Sequence, residues 1–286
     1  MKTVVITGGC GGFGYFLTEH YLTQGWRVVI VDTKDDWDNT RPYDSFIGHK
    51  RLITMVNIGP AFRYEPDLII HCAEENNPNH HMMEHAIHSN LTFHWSVLNH
   101  AAKFGVRTIV PLWYELNFSF AAHTHSKDPW IQCMRLRDQL LRHFDIGNTL
   151  ISPVYMPRLI SPLSTGGAWG SLVKRFYDAA VAGNVVVETT KEEVANGKIQ
   201  WTTPKHAVAE IVDAAKHRNR NAFFVPGNPL NAPQLLALIF SMYGKDSALI
   251  PTRGDFNIGT TQLIANNQPA ANMVAEVCDE WTRQNV

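Results

Sequence analysis

An excess of charge of either sign is the first thing this sequence lacks. Its 25 lysines and arginines face 26 aspartates and glutamates, a net of −1 at pH 7. That balance supplies no field for nucleic acid and none for an anionic membrane surface. Cysteine is scarce as well: Cys10, Cys72, Cys133 and Cys278 are scattered, without the paired spacing of a zinc ribbon or the density of a disulfide scaffold. No apolar run is long enough to span a bilayer, and no signal peptide precedes the first apolar segment at Thr3. The expectation is a cytoplasmic chain with free thiols. Internal repeats and low-complexity tracts are missing too, which excludes solenoids and tails. A chain of 286 residues buries about 75% of its unfolded surface, enough for one large or two small domains without a staple. The one compositional excess is histidine, since seven of the 14 fall between His71 and His100.

The most informative stretch runs from Thr3 to Gly14, Thr-Val-Val-Ile-Thr-Gly-Gly-Cys-Gly-Gly-Phe-Gly. Thr3 to Thr7 is a β-branched apolar run, which predicts a buried parallel strand. Gly8, Gly11 and Gly14 then lead through Cys10, Gly12 and Phe13 into a helix with Phe13, Phe16, Leu17 and Tyr21 on its apolar face. Gly8 suits the tight turn, Gly11 lets backbone N–H groups approach a pyrophosphate, and Gly14 allows close packing of helix on strand. Cys10 reads as a small residue in the phosphate loop. Arg27 to Val31 predicts a second strand, and Asp32 at its tip is spaced to accept from a ribose 2′-OH. A 2′-phosphate would meet that carboxylate, so NAD is favoured over NADP, although nearby Lys34 leaves the second open.

Further strands are expected at Leu52 to Val56, Asp67 to Cys72, Arg107 to Leu112 and Thr149 to Ile151. They alternate with helices from His81 to Phe104, stopped by Gly105, and from Pro129, capped by Asp128, to about His143. Such alternation predicts an α/β fold, a Rossmann-type doubly wound parallel sheet. From Pro153 prolines and glycines mark loops, and a smaller α+β C-terminal substrate lobe follows. It holds a helix Ser171 to Ala182, a strand near Val185, a segment Lys198 to Thr203, a helix Pro204 to His217, a strand Ala222 to Val225 and a helix Ala232 to Tyr243. The expected division is a dinucleotide-binding domain over 1–152 with a returning segment 201–226, and a lobe over 153–286.

His81, His85 and His88, with Glu84 beside them, share one helical face, and His123 and His125 lie later. The spacing suits a metal. A solvated or interfacial helix face explains it as well, and no metal is assigned.

The order of motifs resembles the extended short-chain dehydrogenases/reductases, the NAD-dependent nucleotide-sugar epimerases and dehydratases, from Met1 to about Tyr243. Thr7 to Gly14 resembles the family's TGxxGxxG. Asn57 and Ile58 stand at its adenine-side position, His71-Cys72-Ala73 resembles HLAA beside the cofactor, and Asn90 resembles the Asn of the following helix. Tyr155-Met156-Pro157-Arg158 is similar to YGPR, Gln200 to Ala209 to RDFVHVDDVA, and Asn231 to Leu238 to the helix start after it. The resemblance implies that Cys72, Ala73, Asn57, Ile58 and Asn90 join the glycine loop and Asp32 around NAD, that the small-molecule substrate is a nucleotide sugar, and that the chain is a homodimer through the helices His81 to Phe104 and Pro129 to His143.

The family's proton relay is a Tyr and a Lys four residues apart, with a Ser or Thr after the fifth strand. Here Trp130 and Met134 stand at the first two positions and Pro111-Leu112-Trp113-Tyr114 at the third. An indole and a thioether cannot pass a proton in the Tyr-Lys manner. Gln200 stands where an Arg commonly meets substrate phosphates. Tyr114 is the one acidic hydroxyl near the missing serine and is the candidate replacement acid; packing under a loop is its alternative. Two functions stay open: an enzyme with a remodelled relay, and a non-catalytic NAD-binding sensor or scaffold.

Overall fold

The computed structural model describes residues 1–32, 46, 48–74, 84, 87–113, 129–147, 150–160, 167–182, 186–189, 199–217, 223–225, 227–230, 232–242 and 248–251. The chain divides into two compact units, Met1–Met156 with Ala207–Val225, and Pro157–His206 with Pro226–Val286.

In the first unit the strands are β1 (Thr3–Thr7), β2 (Arg27–Val31), β3 (Leu52–Met55), β4 (Leu68–His71), β5 (Arg107–Trp113), β6 (Ile151–Met156) and β10 (Phe223–Phe224). They form one seven-stranded sheet in the order β10-β6-β5-β4-β1-β2-β3, with every neighbouring pair parallel. All five residues of β1 are buried, as expected of a strand covered on both faces. Alternation sorts the side chains. Val5, Val29, Val31 and Ile69 share a cluster with Val97 and Ala101, which lie on the helix α2 (His94–Phe104). Ile30 points the other way, towards Gly9 at the approach to α1 (Gly12–Thr23).

The helix expected from His81 is α-helical at Glu84 and at Ile87. It runs on as a π-helical segment, His88–Phe93, continues as α2, and ends on Gly105 at φ +65, where a left-handed C-cap favours glycine. The next helix, α3 (Pro129–Gly147), starts on the expected proline and runs one turn beyond His143.

The sixth strand departs from the expectation. It runs from Ile151 through Pro153 to Met156, where loops were expected from the proline onwards. The reason lies in strand parity. Thr108 N–H donates to Leu150 O at 2.7 Å and Val225 N–H to Tyr155 O at 2.9 Å, so odd-numbered residues of β6 face β10. Pro153 therefore turns its missing donor towards a two-residue edge strand that pairs with Val154 and Tyr155, and no ladder bond is lost.

Arg107 ties the returning segment to the sheet. Its side chain is buried and donates from Nη1 to Ser152 Oγ at 2.8 Å, and from Nη2 to the carbonyls of Ala214 at 3.1 Å and His217 at 2.9 Å. The two carbonyls lie at the end of the helix α5 (Pro204–Lys216), where C-terminal oxygens run short of backbone donors; Ala214 O also accepts from His217 N–H at 3.3 Å.

The second unit holds two small sheets. One has the order β11-β9-β7, the other pairs β12 with β8, where β7 is Arg158–Leu159, β8 Val186–Thr189, β9 Ile199–Thr202, β11 Asn228–Leu230 and β12 Ala248–Pro251. Its helices α4 (Gly167–Ala182) and α6 (Ala232–Met242) pack on each other, and Phe176 and Tyr177 on the first and Leu236 and Phe240 on the second are buried. Trp201 is buried and donates its indole N–H to Leu230 O at 3.2 Å. Among the described residues no helix is long and apolar enough to cross a membrane.

Candidate functional site

Strand order reverses at β1, which has β2 on one side and β4 on the other. At such a switch point the connections leave in opposite directions and a crevice opens outside the carboxyl ends of the strands. Thr7 and His71 are register partners at those ends, and the glycine turn and the segment Cys72-Ala73-Glu74 follow them.

The turn is fixed by steric demands that differ from glycine to glycine. Gly8 leaves β1 at φ +67, and a Cβ there would lie 2.7 Å from the Ala73 backbone. At Gly14 a Cβ would lie 2.3 Å from Gly8 O, and at Gly9 2.6 Å from Ile30 Cγ2. At Gly11 the contact is looser: among the described residues, Gly8 O at 3.3 Å is the atom such a Cβ would meet. The fold itself accounts for Gly8, Gly9 and Gly14. Gly11 is also the N-cap of α1, with no side-chain cap and no acidic residue in the first turn, so the positive helix end carries no carboxylate of its own. Gly12 opens the helix, and Phe13 behind it is buried. These residues fit a dinucleotide pyrophosphate.

Asp32 is held against this turn. Its Oδ2 accepts from Cys10 N–H at 2.8 Å, and its own N–H donates to Met55 O at 3.0 Å. Asn57 is exposed at the start of a short helical turn, whereas Ile58 is buried in the cluster with Val29 and Val31. Cys72 is half-buried; burial, then the carboxylates of Asp32 and Glu74, push its thiol up. Cys10, Cys72 and Cys133 are free thiols; Cys278 lies outside the described residues.

Behind the turn lies a buried polar network. Thr7 Oγ1 bonds His71 Nδ1 at 2.5 Å and accepts from Ala73 N–H at 3.4 Å. His71 Nε2 bonds His94 Nδ1 at 2.8 Å. Burial, reinforced by the Arg137 cation, drives His71 down to about 3. His94 is lowered by burial, then by His71 and Arg137. Both rings are therefore neutral at pH 7. Arg137 Nη1 forms a buried ion pair with Glu74 Oε2. Among the described residues His94 Nε2, Glu74 Oε1 and Arg137 Nε are buried without a hydrogen-bond partner, and each such orphan costs about 1–3 kcal/mol.

The π-helical segment carries Asn90, fully buried, whose Nδ2 donates to Met134 Sδ at 3.3 Å. Met134 is itself fully buried on α3, with Arg137 and Leu141 following on the same face. Leu112 is buried near the end of β5. Tyr114 lies outside the described residues, as do Lys34, His81, His85, His123 and His125; of Trp113 and Trp130 the backbone alone is described. Glu84 and His88 are exposed, and among the described residues no three metal-ligating side chains gather.

Sequence reasoning missed Glu74, His94 and Arg137. The signals were present: Glu74 fills the fourth place of the HLAA-like motif, His94 follows Asn90 by one helical turn, and Arg137 follows Met134 by three residues.

Residues 4–112 match the NAD dependent epimerase/dehydratase family. Among solved structures, dTDP-glucose 4,6-dehydratase from Bacillus anthracis in complex with NAD superposes with a TM-score of 0.75 at 13% identity, covering 100% of this chain and 97% of that one. The fold is that of the NAD-dependent epimerases and dehydratases. UDP-N-acetylglucosamine 4-epimerase from Methanobrevibacter ruminantium, in complex with UDP-N-acetylmuramic acid, gives 0.72 at 15% identity over 99% of both chains. UDP-glucose 4-epimerase from Thermotoga maritima with UDP-glucose gives 0.71 at 13% identity over 99% of this chain and 100% of that one.

Proposed function

We propose that this chain binds NAD in preference to NADP and uses it on a nucleotide sugar, by an epimerase- or dehydratase-like reaction that does not run through a Tyr-Lys pair. The observation that carries the reading is the Asp32 carboxylate at the end of β2, fastened at Cys10 N–H, 2.8 Å away, to a glycine turn in which Gly8 and Gly14 have no room for a Cβ. Gly8, Gly11, Gly12 and Gly14 with Cys10 and Phe13 would hold the pyrophosphate, Asp32 the adenosine ribose, and Asn57, Ile58, Cys72, Ala73 and Asn90 the remaining contacts. A bound nicotinamide supplies hydride exchange; the chain's residues bind, orient and handle protons. Tyr114 is the proposed proton donor near the end of β5. The first unit is assigned to the cofactor and the second to the substrate, in a cytoplasmic setting.

The neighbours solved with NAD or UDP-sugars support this reading. So does the family match over the first unit. The remodelled relay is our inference from Met134, buried where the resemblance implies a lysine. The same burial favours the second reading, a non-catalytic NAD-binding sensor or scaffold. Ile87, Trp95 and Leu136 are 45%, 44% and 50% exposed, which motivates a homodimer through the helices His81 to Phe104 and Pro129 to His143.

Mass spectrometry of the purified protein, followed by NMR and mass analysis of UDP-, dTDP- and GDP-sugars incubated with it, tests the choice. A co-purifying nucleotide sugar or conversion of one of these sugars supports the enzyme. NAD bound with neither supports the sensor, and no NAD at all contradicts both.

A further inference from the structure

At the opposite end of the sheet from the glycine turn, the starts of the neighbouring strands β1, β4 and β5 frame a cavity of about 800 Å³, within the roughly 300–1,000 Å³ of small-molecule sites. Lys2 precedes β1, Asp67 precedes β4 and Arg107 begins β5. The last turns of α1 and α5 supply the walls, and Trp26 lines the cavity just before β2. Among the described lining residues three are cationic, Lys2, Arg107 and Lys216, and one is acidic, Asp67. Asp67 Oδ2 already accepts from Thr3 N–H at 2.8 Å, and Arg107 donates to Ser152 and to the carbonyls at the end of α5. The two lysines are exposed, and among the described residues neither is in an ion pair. Lys2 Nζ lies over the Trp26 ring, 5.3 Å from its centroid, where attraction to the ring face holds the ammonium. Lys216 comes from the wall made by α5, and its charge, after burial, lowers His20 on the wall made by α1. We propose that this cavity binds a small organic anion, a carboxylate or phosphate on an apolar body, with Lys2 and Lys216 taking the acid group and Leu68, Val212 and Ala215 taking the body.

Helix C-terminal ends favour cations, so the two that meet here have to be weighed against the lysines. The end of α1 closes on its own backbone, with Gly25 N–H donating to Leu22 O and Trp26 N–H to Tyr21 O, both at 3.0 Å. At the end of α5 the carbonyls of Ala214 and His217 take Arg107 Nη2. These carbonyls are spent inside the protein, whereas two ammonium groups against one carboxylate leave the cavity positive. An acid group between the lysines gains charge-assisted hydrogen bonds from both, and a cation is repelled by both. The apolar side chains of Leu68, Val212 and Ala215 in the same lining favour a ligand whose remainder is not polar.

The site is independent of the cofactor reading, since none of its described lining residues belongs to the glycine turn. Titration of the full chain at low salt with benzoate, phenyl phosphate, benzamide and benzylamine tests it, read at the Trp26 indole N–H in proton–nitrogen correlation spectra and assigned by its loss in Trp26→Phe. The expected result is a saturable shift with benzoate or phenyl phosphate. Two exposed charge pairs should make the better of these acids bind at least about threefold tighter than neutral benzamide, and Lys2→Gln with Lys216→Gln should erase that difference. The tighter of the two acids assigns the site to carboxylates or to phosphates. An unmoved Trp26 signal, benzamide or benzylamine binding as tightly as the acids, or an acid preference that survives in the double variant overturns the proposal. Shifts confined to the Gly11 and Gly12 amides overturn it too, and leave the NAD reading untouched.

Discussion

Asn90 donates its amide to the sulfur of Met134 at 3.3 Å, and neither residue has measurable exposure. A lysine at 134 would place an ammonium in a fully buried site, about one helical turn from the Arg137 cation. Burial and like charge both lower a lysine pKa. We therefore expect Trp130→Tyr with Met134→Lys to give no oxidoreductase turnover on UDP-, dTDP- or GDP-sugars, because the ammonium that should activate the phenol would be largely neutral and Leu112 and Trp113 offer no hydroxyl. The variant should also lose more than about 2 kcal/mol of stability, read by urea unfolding. Conversion of any of these sugars by the variant, read by NMR of the products, would show an ordinary epimerase pocket and contradict the remodelled site.

The glycines of the turn separate fold from function. Gly14→Ala puts a carbon 2.3 Å from Gly8 O, a backbone atom, and should cost more than about 2 kcal/mol. Gly11→Ala meets, among the described residues, one atom at 3.3 Å and should leave stability within about 1 kcal/mol while weakening NAD binding at least tenfold. Thermal melts and titration calorimetry of the pair check this.

His71 and His94 predict a specific acid sensitivity. Both are neutral in the folded chain, His71 with a pKa of about 3 against 6.5 unfolded. Below about pH 6.5 the unfolded chain takes up protons that the folded chain refuses, so stability is complete above that pH and falls as the pH drops towards 3. The slope is about 1.4 kcal/mol per pH unit for each histidine. Replacing His71 and His94 together by Asn and Gln should flatten urea-unfolding stability between pH 6 and 4. An unchanged slope in the variant would contradict the assignment.

Exposed Trp95 and Leu136 predict a dimer that charge can split. Light scattering at micromolar concentration should give twice the chain mass for the wild type and the chain mass for Leu136→Glu. A monomeric wild type would contradict the proposed interface.

The parts of the molecule written locally were legible in the sequence. Thr3 to Thr7 and Arg27 to Val31 are strands to the residue, since short β-branched runs buried on both faces leave little choice. Gly105 closes its helix as read. Pro153 misled because a proline's effect depends on which neighbour its nitrogen faces, and that is set by β10, far along the chain. The buried network was hidden for the same reason: Thr7 and His71 are 64 residues apart, and His71 and His94 are 23 apart. Periodicity drew attention to the histidines at 81, 85 and 88, while among the described residues the buried ones are His71 and His94. Gly9 went unread because its neighbour, Ile30, lies on the next strand.

Titration calorimetry with NAD and with NADP, on the wild type and on Asp32→Ala, tests the central claim most directly. Asp32 is held at the turn by Cys10 N–H, so its carboxylate should accept from a ribose hydroxyl and repel a 2′-phosphate. A hydrogen bond to a charged group contributes about 1.5–3 kcal/mol, so NAD should bind more than tenfold tighter than NADP, and Asp32→Ala should narrow that gap by about tenfold or more. Equal or tighter binding of NADP by the wild type, or no binding of NAD, would contradict the account.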